Sequence, residues 1–493
     1  MSELTAPTST ATAKSRPAVL APTEDFGGGI RFSPSDIGDR LWRIFTSMRT
    51  ALILMLMLSV LGLVGTLVVQ APAGMASDPQ AYAAWLDTVK PKYGGWTAPM
   101  DMLGAFGIFG SWWFKGIMIL LTTSILACSV NRFKGLWKTA IHPRTRMTPV
   151  FYDRAPHSER IEAVVAPDAA LADVTKTFKS AHFRTVVERD GDEIAVYADR
   201  FRWAPFGTLM AHISLIMILV GALMGSFWGF KNAEFAVPVG STVEVGNGTG
   251  LSVMATSFND SYYESGAPSD YAADLVVFKD GQQVGAQTIR VNQPLEAGGV
   301  TFYQSFFGAA TDVVIKDASG AVLWDKGVPL LYSTDNGTRR IGQVLLPQQG
   351  LTVLVVAAAS GEIDQAIKPG QVQFEVYKTG TQTPIGSQVV DQGTTTSMGG
   401  VDVTFARERQ FTGLIVSRDP GAILVFGGAM LLVFGLFLVF FFPSRRIWTR
   451  IVPGPSGAEV RLGATSRHDA TFGPDFQKLV GEMQRSLTGT RSA

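Results

Sequence analysis

The sequence predicts an integral membrane protein with four transmembrane helices, a large external all-β domain and a small cytoplasmic α+β unit. Three observations predict it. Four apolar runs are long enough to cross a bilayer. Short strand-like segments fill the long interval between the third and fourth runs. Lys and Arg gather at one end of each span. Of the 493 residues, 46% are hydrophobic and 17% charged, a balance that suits membrane helices joined to a sizeable polar part. The net charge of +1 leaves no general basic excess and argues against a nucleic-acid partner. Cys128 is the single cysteine, so neither an intrachain disulfide nor a CxxC redox pair exists. Without a CxxCH run, the chain carries no covalently attached haem itself.

The predicted spans are residues 51–69, 111–130, 204–230 and 421–442. About 20 apolar residues cover the ~30 Å hydrocarbon core, and each run meets that length. Lys115 lies near one end of the second, where its stem can carry the ammonium to the interface. Trp112, Trp113, Trp203, Trp228 and Trp448 lie near span ends, as interfacial aromatics do. Arg40, Arg43 and Arg49 precede the first span, and Arg132, Lys134 and Lys138 follow the second. Arg200 and Arg202 precede the third, and Arg445, Arg446 and Arg450 follow the fourth. The positive-inside rule then puts both termini in the cytoplasm and residues 231–420 outside.

Between the spans, residues 1–35 read as a disordered cytoplasmic tail rich in Ser, Thr, Ala and Pro. Residues 70–110 form an external loop in which "DPQAYAAWLDTV" suggests a short interfacial helix. Residues 131–203 read as a cytoplasmic β-α-β-β unit: an alternating strand, a helix opened by Pro167, and a hairpin turning at Asp190-Gly191. Residues 231–420 show regular short strands, as in "YAADLVVFKDG" and "VQFEVYKTG", and predict an antiparallel sandwich or barrel-like domain. That segment holds no histidine or cysteine, and its Glu234, Asp270, Asp274 and Glu296 lack catalytic spacing. Residues 443–493 read as a cytoplasmic tail. In its "PDFQKLVGEMQRSL", residues Phe476, Leu479, Val480, Met483 and Leu487 share one helical face, suited to a membrane surface, to a partner or to a loose tail helix.

His212 stands out because it interrupts the third span. An imidazole in hydrocarbon is costly unless paired or ligated, so it marks either a functional site or a neutral ring hydrogen-bonded to another helix. At ~100° per residue, its face carries Pro205, Thr208, Leu215, Ile216, Leu219 and Leu223. Gly207, Ser214, Gly221 and Gly225 lie opposite, a small-residue stripe suited to close helix packing. Eight residues at ~1.5 Å put His212 about 12 Å from the inner end of the span. An apolar groove holding one imidazole suits haem, whose iron takes His readily. Other spans hold no histidine, and Met55, Met57, Met118, Met210, Met217 and Met430 are weak second ligands, so if His212 binds haem, its second axial ligand comes from another protein.

"LWRIFTSMRTALILMLMLSVLGLVGTLV" (41–68), "YADRFRWAPFGTLMAHISLIMILVGALMG" (197–225) and "DYAADLVVFKDGQQVGAQTIRVNQPLEAGGVTFYQSFFG" (270–308) together resemble the ResB family, also called CcsB. The resemblance covers most of the chain between residues 40 and 450. It implies one half of the system II machine for cytochrome c maturation, acting with a CcsA/ResC-type membrane partner. It implies that the pair moves haem b to the outer face and presents it to the CxxCH motifs of apocytochrome c. His212 then matches the family's membrane histidine, an axial ligand to the haem iron. The attachment chemistry and its tryptophan-rich WWD motif belong to the partner, and Trp112-Trp113 is not followed by that motif. The competing expectation is a cofactor-free membrane scaffold that recruits partners through its external β domain.

Overall fold

The computed structural model describes residues 34–72, 79–334, 337–466, 469 and 471–489. The expected disordered tail, up to residue 33, and His468 lie outside the described residues. In chain order come α1 (Pro34–Phe45), α2 (Met48–Leu67), α3 (Pro79–Tyr93), α4 (Thr97–Met102), α5 (Trp112–Ile141) and α6 (Pro149–Arg154). Then come β1 (His157–Ala163), α7 (Pro167–Ser180), β2 (Arg184–Asp190), β3 (Glu193–Arg200) and α8 (Pro205–Trp228). The next strands are β4 (Phe230–Pro238), β5 (Thr242–Glu244), β6 (Leu251–Tyr262), β7 (Pro268–Lys279), β8 (Gln282–Arg290), β9 (Leu295–Ala297) and β10 (Val300–Asp317). They continue with β11 (Val322–Pro329), β12 (Tyr332–Ser333), β13 (Arg339–Leu346), β14 (Leu351–Ala358), β15 (Gln371–Lys378), β16 (Gly386–Asp391), β17 (Thr395–Met398) and β18 (Val401–Arg418). The chain closes with α9 (Ala422–Phe441), β19 (Arg445–Gly454), β20 (Gly457–Ser466) and α10 (Phe472–Leu487).

Four helices, α2, α5, α8 and α9, are long and apolar enough to cross a membrane. The second outruns its expected end at residue 130. It runs 30 residues, about 45 Å at ~1.5 Å per residue, against a core of ~30 Å. Charge ends the apolar run there, but Lys and Arg are good helix formers. The helix stops at His142, where Pro143 disfavours a helical residue before it.

Residues 131–203 do not complete a unit by themselves. The small domain is a five-stranded sheet in the order β1-β20-β19-β3-β2. Its two middle strands come from beyond α9, so the expected free tail over residues 443–493 is corrected: its first half is the centre of this sheet. A β-α-β-β segment this short cannot bury enough apolar surface, and β1 touches β3 only through the two later strands. The amphipathic face of α10 is accounted for in the same way. Phe476, Leu479, Val480, Met483 and Leu487 are buried against Val174 and Phe178 of α7 and the sheet, rather than on a lipid surface. Trp448 is likewise no interfacial anchor. It is buried in β19, donates Nε1–H to the Arg144 carbonyl at 2.8 Å and packs edge-on to Phe151.

The β domain comprises β4–β18. Its strands β10 and β18, 18 residues each, pair along their whole length with register shifts at 304/306 and 312/313. One half of this long sheet packs on the β5-β6-β7-β8 sheet around Phe302, Leu275 and Val416. The other half packs on the β12-β13-β14-β15-β16 sheet around Phe374, Phe405 and Val353. The domain is thus two sandwiches joined end to end by shared strands, where the sequence predicts a single sandwich or barrel-like domain.

These two domains clamp one helix pair. Strand β3 leads into α8, and α9 leads into β19; β3 and β19 pair, with Arg200 opposite Arg445. At the other end β4 follows α8 and β18 precedes α9, and these also pair, with Phe230 opposite Arg418. The two helices are therefore bracketed by ladders at both ends. Between the ladders their contact is set by glycine. A Cβ at Gly207 would lie 2.6 Å from the Gly435 carbonyl oxygen, and one at Gly221 would lie 2.7 Å from that of Gly421. Ser214, midway, is fully buried beside Gly428. Backbones this close are open only to small residues.

Candidate functional site

Fixing the small face of α8 against α9 turns the His212 face toward α5. There the half-buried ring meets Ser129, with Oγ 3.4 Å from Nδ1. Ser129 has one hydroxyl proton, and it donates that proton to the Ile125 carbonyl at 2.7 Å. Its oxygen therefore faces His212 as an acceptor, and Nδ1–H donates to it. Such a bond sets the tautomer and leaves Nε2 as the nitrogen with a free lone pair, which is what a metal requires of a neutral imidazole.

His212 also lines a cavity of about 980 Å³. Its walls come from four segments. The face of α5 supplies Ser129, Arg132, Leu136, Thr139 and Ala140, spaced one and two turns apart. The start of α8 supplies Pro205, Thr208, Leu209 and His212 at the same spacing, and Arg202 lies just before it. The end of α9 and the linker after it supply Val439, Phe440, Pro443 and Ser444. Arg446 and its cross-strand neighbour Thr465 close the wall from the small domain.

The lining mixes apolar Leu136, Leu209, Val439 and Phe440 with Arg132, Arg202 and Arg446, and among the described residues it holds no carboxylate. One imidazole, apolar walls and cations around one cavity fit haem, which joins an apolar macrocycle and iron to peripheral carboxylates. No methionine lines the cavity: Met118 packs among α2, α5 and α8, and Met430 is 76% exposed on α9. Among the described residues no cluster of three His, Cys, Asp or Glu side chains stands together. Among the described residues, His212 offers the one imidazole for an iron held here.

Of the residues singled out from the sequence, Pro205, Thr208 and His212 converge on the cavity. Gly207, Ser214 and Gly221 lie on the buried face behind it, and Gly225 packs against Asp419. Lys115 is tied down, donating to the Ser226 carbonyl at 3.2 Å and lying over the Phe227 ring. Two of the four carboxylates singled out in the β domain are structural: Asp270 pairs with Arg290, and Asp274 accepts from Ser257 and Thr288. Those two hydroxyls hold the Asp274 carboxyl below its ordinary range. Phe302 is core, while Phe307 stacks on Phe258 at 5.1 Å.

Sequence reasoning missed Ser129, Ser444 and the shared role of Arg132, Arg202 and Arg446. The arginines read as orientation signals alone, and Ser444 carries no signal by itself. The helical spacing of Ser129, Arg132, Leu136 and Thr139 would have put them on one face of α5, had that helix been extended past residue 130.

Residues 48–477 match the family model of the ResB-like family, which covers most of the chain. The chain belongs to the ResB-like family. Curated relatives agree. It is 24% identical to a cytochrome c biogenesis protein CcsB of a Nostoc species, over 82% of this chain and 85% of that protein. It is 23% identical to the CcsB protein of Microcystis aeruginosa over 90% and 95%, and 26% identical to one of a Synechococcus species over 77% of each. The family match runs through all four apolar helices of this ResB-like chain and takes in His212 and most of the cavity lining.

Proposed function

We propose that this multi-pass membrane protein works in cytochrome c biogenesis as the subunit that holds haem within the bilayer at His212. Together with a CcsA/ResC-type partner it delivers haem b to the outer face, where apocytochrome c takes it on its CxxCH cysteines. The observation that carries the proposal is the His212 cavity: one oriented imidazole, apolar walls and three cations. The names of the relatives support the biogenesis role.

In this reading each group has a task that follows from its chemistry. When bound, haem would supply an iron and two carboxylates. Nε2 of His212 would hold the iron, and Ser129 keeps the proton on Nδ1. The walls from α5, α8 and α9 would shield the group from water. The attachment chemistry would reside on the partner, so enzyme activity would belong to the complex.

Orientation follows the arginine bias: the small domain and both termini are cytoplasmic, and the β domain is external. The sheet supports this, because the segments before α8 and after α9 share one ladder and therefore one side of the membrane.

The test is to purify the full chain with its co-expressed partner from haem-replete cells and record the Soret band. His212→Ala is expected to abolish or strongly weaken the band while the protein accumulates normally. Full haem content and normal cytochrome c in that variant would sink the ligand assignment. The competing reading, a cofactor-free scaffold, draws on the Ser129–His212 contact as a purely structural bond. It predicts colourless wild-type complex.

A further inference from the structure

We infer that Arg132, Arg202 and Arg446 form a carboxylate-binding rim that grips the two acid groups of haem in the His212 cavity. The inference rests on the haem reading above and adds which residues orient the ligand.

The three arginines come from α5, the turn before α8 and β19, yet all line one cavity that holds no acid among the described residues. Many arginines of the small domain are neutralised, although Arg154, Arg200 and Arg485 form no ion pair with the described residues. Arg146, Arg184, Arg189, Arg445, Arg450 and Arg461 each form an ion pair. Arg132, Arg202 and Arg446 form none with the described residues. Arg132 donates instead to the Met48 sulfur at 3.2 Å, and Arg202 lies over the Trp203 ring at 4.8 Å, contacts that leave the charge uncompensated.

Arg446 shows that this is arrangement rather than a shortage of acids. Strand alternation sends Arg445 into the domain, onto Asp469 at 2.7 Å and Asp475 at 2.6 Å. Its neighbour Arg446 points to the opposite face, toward the cavity. Asp199 stands opposite Arg446 in the ladder, but Arg184 holds that carboxylate through two bonds of 2.9 and 2.8 Å.

Three like charges converging without a counter-ion repel one another, and an anion bridging them removes that cost. Guanidiniums suit carboxylates because their donors match two oxygens at once. Apolar walls, one imidazole and three cations around one cavity fit a ligand with an apolar body and acid groups. An anionic phospholipid shares the negative charge but has no use for His212.

The experiment titrates the full chain, in nanodiscs, with ferric haem and with its dimethyl ester, whose acid groups are blocked. Wild type is expected to bind haem at least about tenfold tighter than the ester. Arg446→Gln and Arg202→Gln should each weaken haem several-fold and leave ester binding unchanged, and Arg446→Lys should keep part of the preference. Equal affinity of wild type for the two porphyrins, with a Soret band still lost in His212→Ala, overturns the rim and spares the haem site. If no porphyrin gives a band sensitive to His212→Ala, the haem reading itself fails and takes the rim with it. Native mass spectrometry supplies the last arm. Loss of bound phosphatidylglycerol from the variants, with an unchanged haem-to-ester ratio, would assign the arginines to lipid instead.

Discussion

The two faces of α8 are built from opposite chemistry. Its small face, Gly207, Ser214 and Gly221, meets the backbone of α9 with no room for a single added carbon. Its other face, Pro205, Thr208 and His212, opens on a cavity of about 980 Å³. The closed face supplies precision to the open one. A helix pinned at seven-residue intervals and bracketed by β3–β19 and β4–β18 cannot rotate, so His212 keeps its contact with Ser129. In lipid, where apolar side chains gain little by leaving solvent for each other, such backbone approach is the main source of fixed geometry.

The largest effect is expected from breaking the closed face. Gly221→Leu forces a branched side chain against the Gly421 carbonyl and should cost about 3 kcal/mol or more. A thermal scan of the detergent-purified protein would show it, and an unchanged melting temperature would contradict the packing argument. Haem binding should fall with the fold in this variant, not separately from it.

Breaking the open face should do the reverse. His212→Gly leaves α8 and α9 packed, and added imidazole should restore the Soret band by filling the vacated position. Restoration without imidazole, or none with it, speaks against an axial ligand at this point.

Ser129→Ala removes only the acceptor that fixes the ring, and partners of this kind are worth about 10–100-fold in metal affinity. Ser129→Thr, which keeps the hydroxyl, should stay near wild type in a haem titration. If Ala and Thr behave alike, the serine is mere packing.

The smallest effect concerns the domain that presents Arg446. Burial would raise the Asp469 carboxyl, but hydrogen bonds from Arg445 and Thr471 outweigh it and hold the group below its ordinary value. A depressed carboxyl stabilises the fold above its unfolded value of about 3.9, and that stability is lost as pH falls through the folded value. The small domain should therefore weaken below about pH 4, and Asp469→Asn should flatten that dependence. The same acid sensitivity in the variant would assign the effect to other carboxylates.

Much of this was legible without coordinates. The four apolar runs, the strand-rich interval and the isolated histidine follow from local composition and period. The small stripe opposite His212 also follows, because 100° per residue fixes which side chains share a face. The small domain was not legible, because its sheet joins strands separated by the whole β domain and two helices. No local pattern states which distant strand will pair. For the same reason α10 reads as a loose amphipathic helix, although its apolar face is the lid of a core.

By itself, then, the sequence determined the class of molecule and the residue most out of place in it, since both depend on the burial preference of side chains taken in order along the chain. Only the tertiary structure decided what surrounds that residue. The serine that orients it, the glycines of α9 that fix its helix and the arginines beyond it come from segments hundreds of residues apart. Convergence is a property of packing in three dimensions, and a chain read from end to end does not contain it.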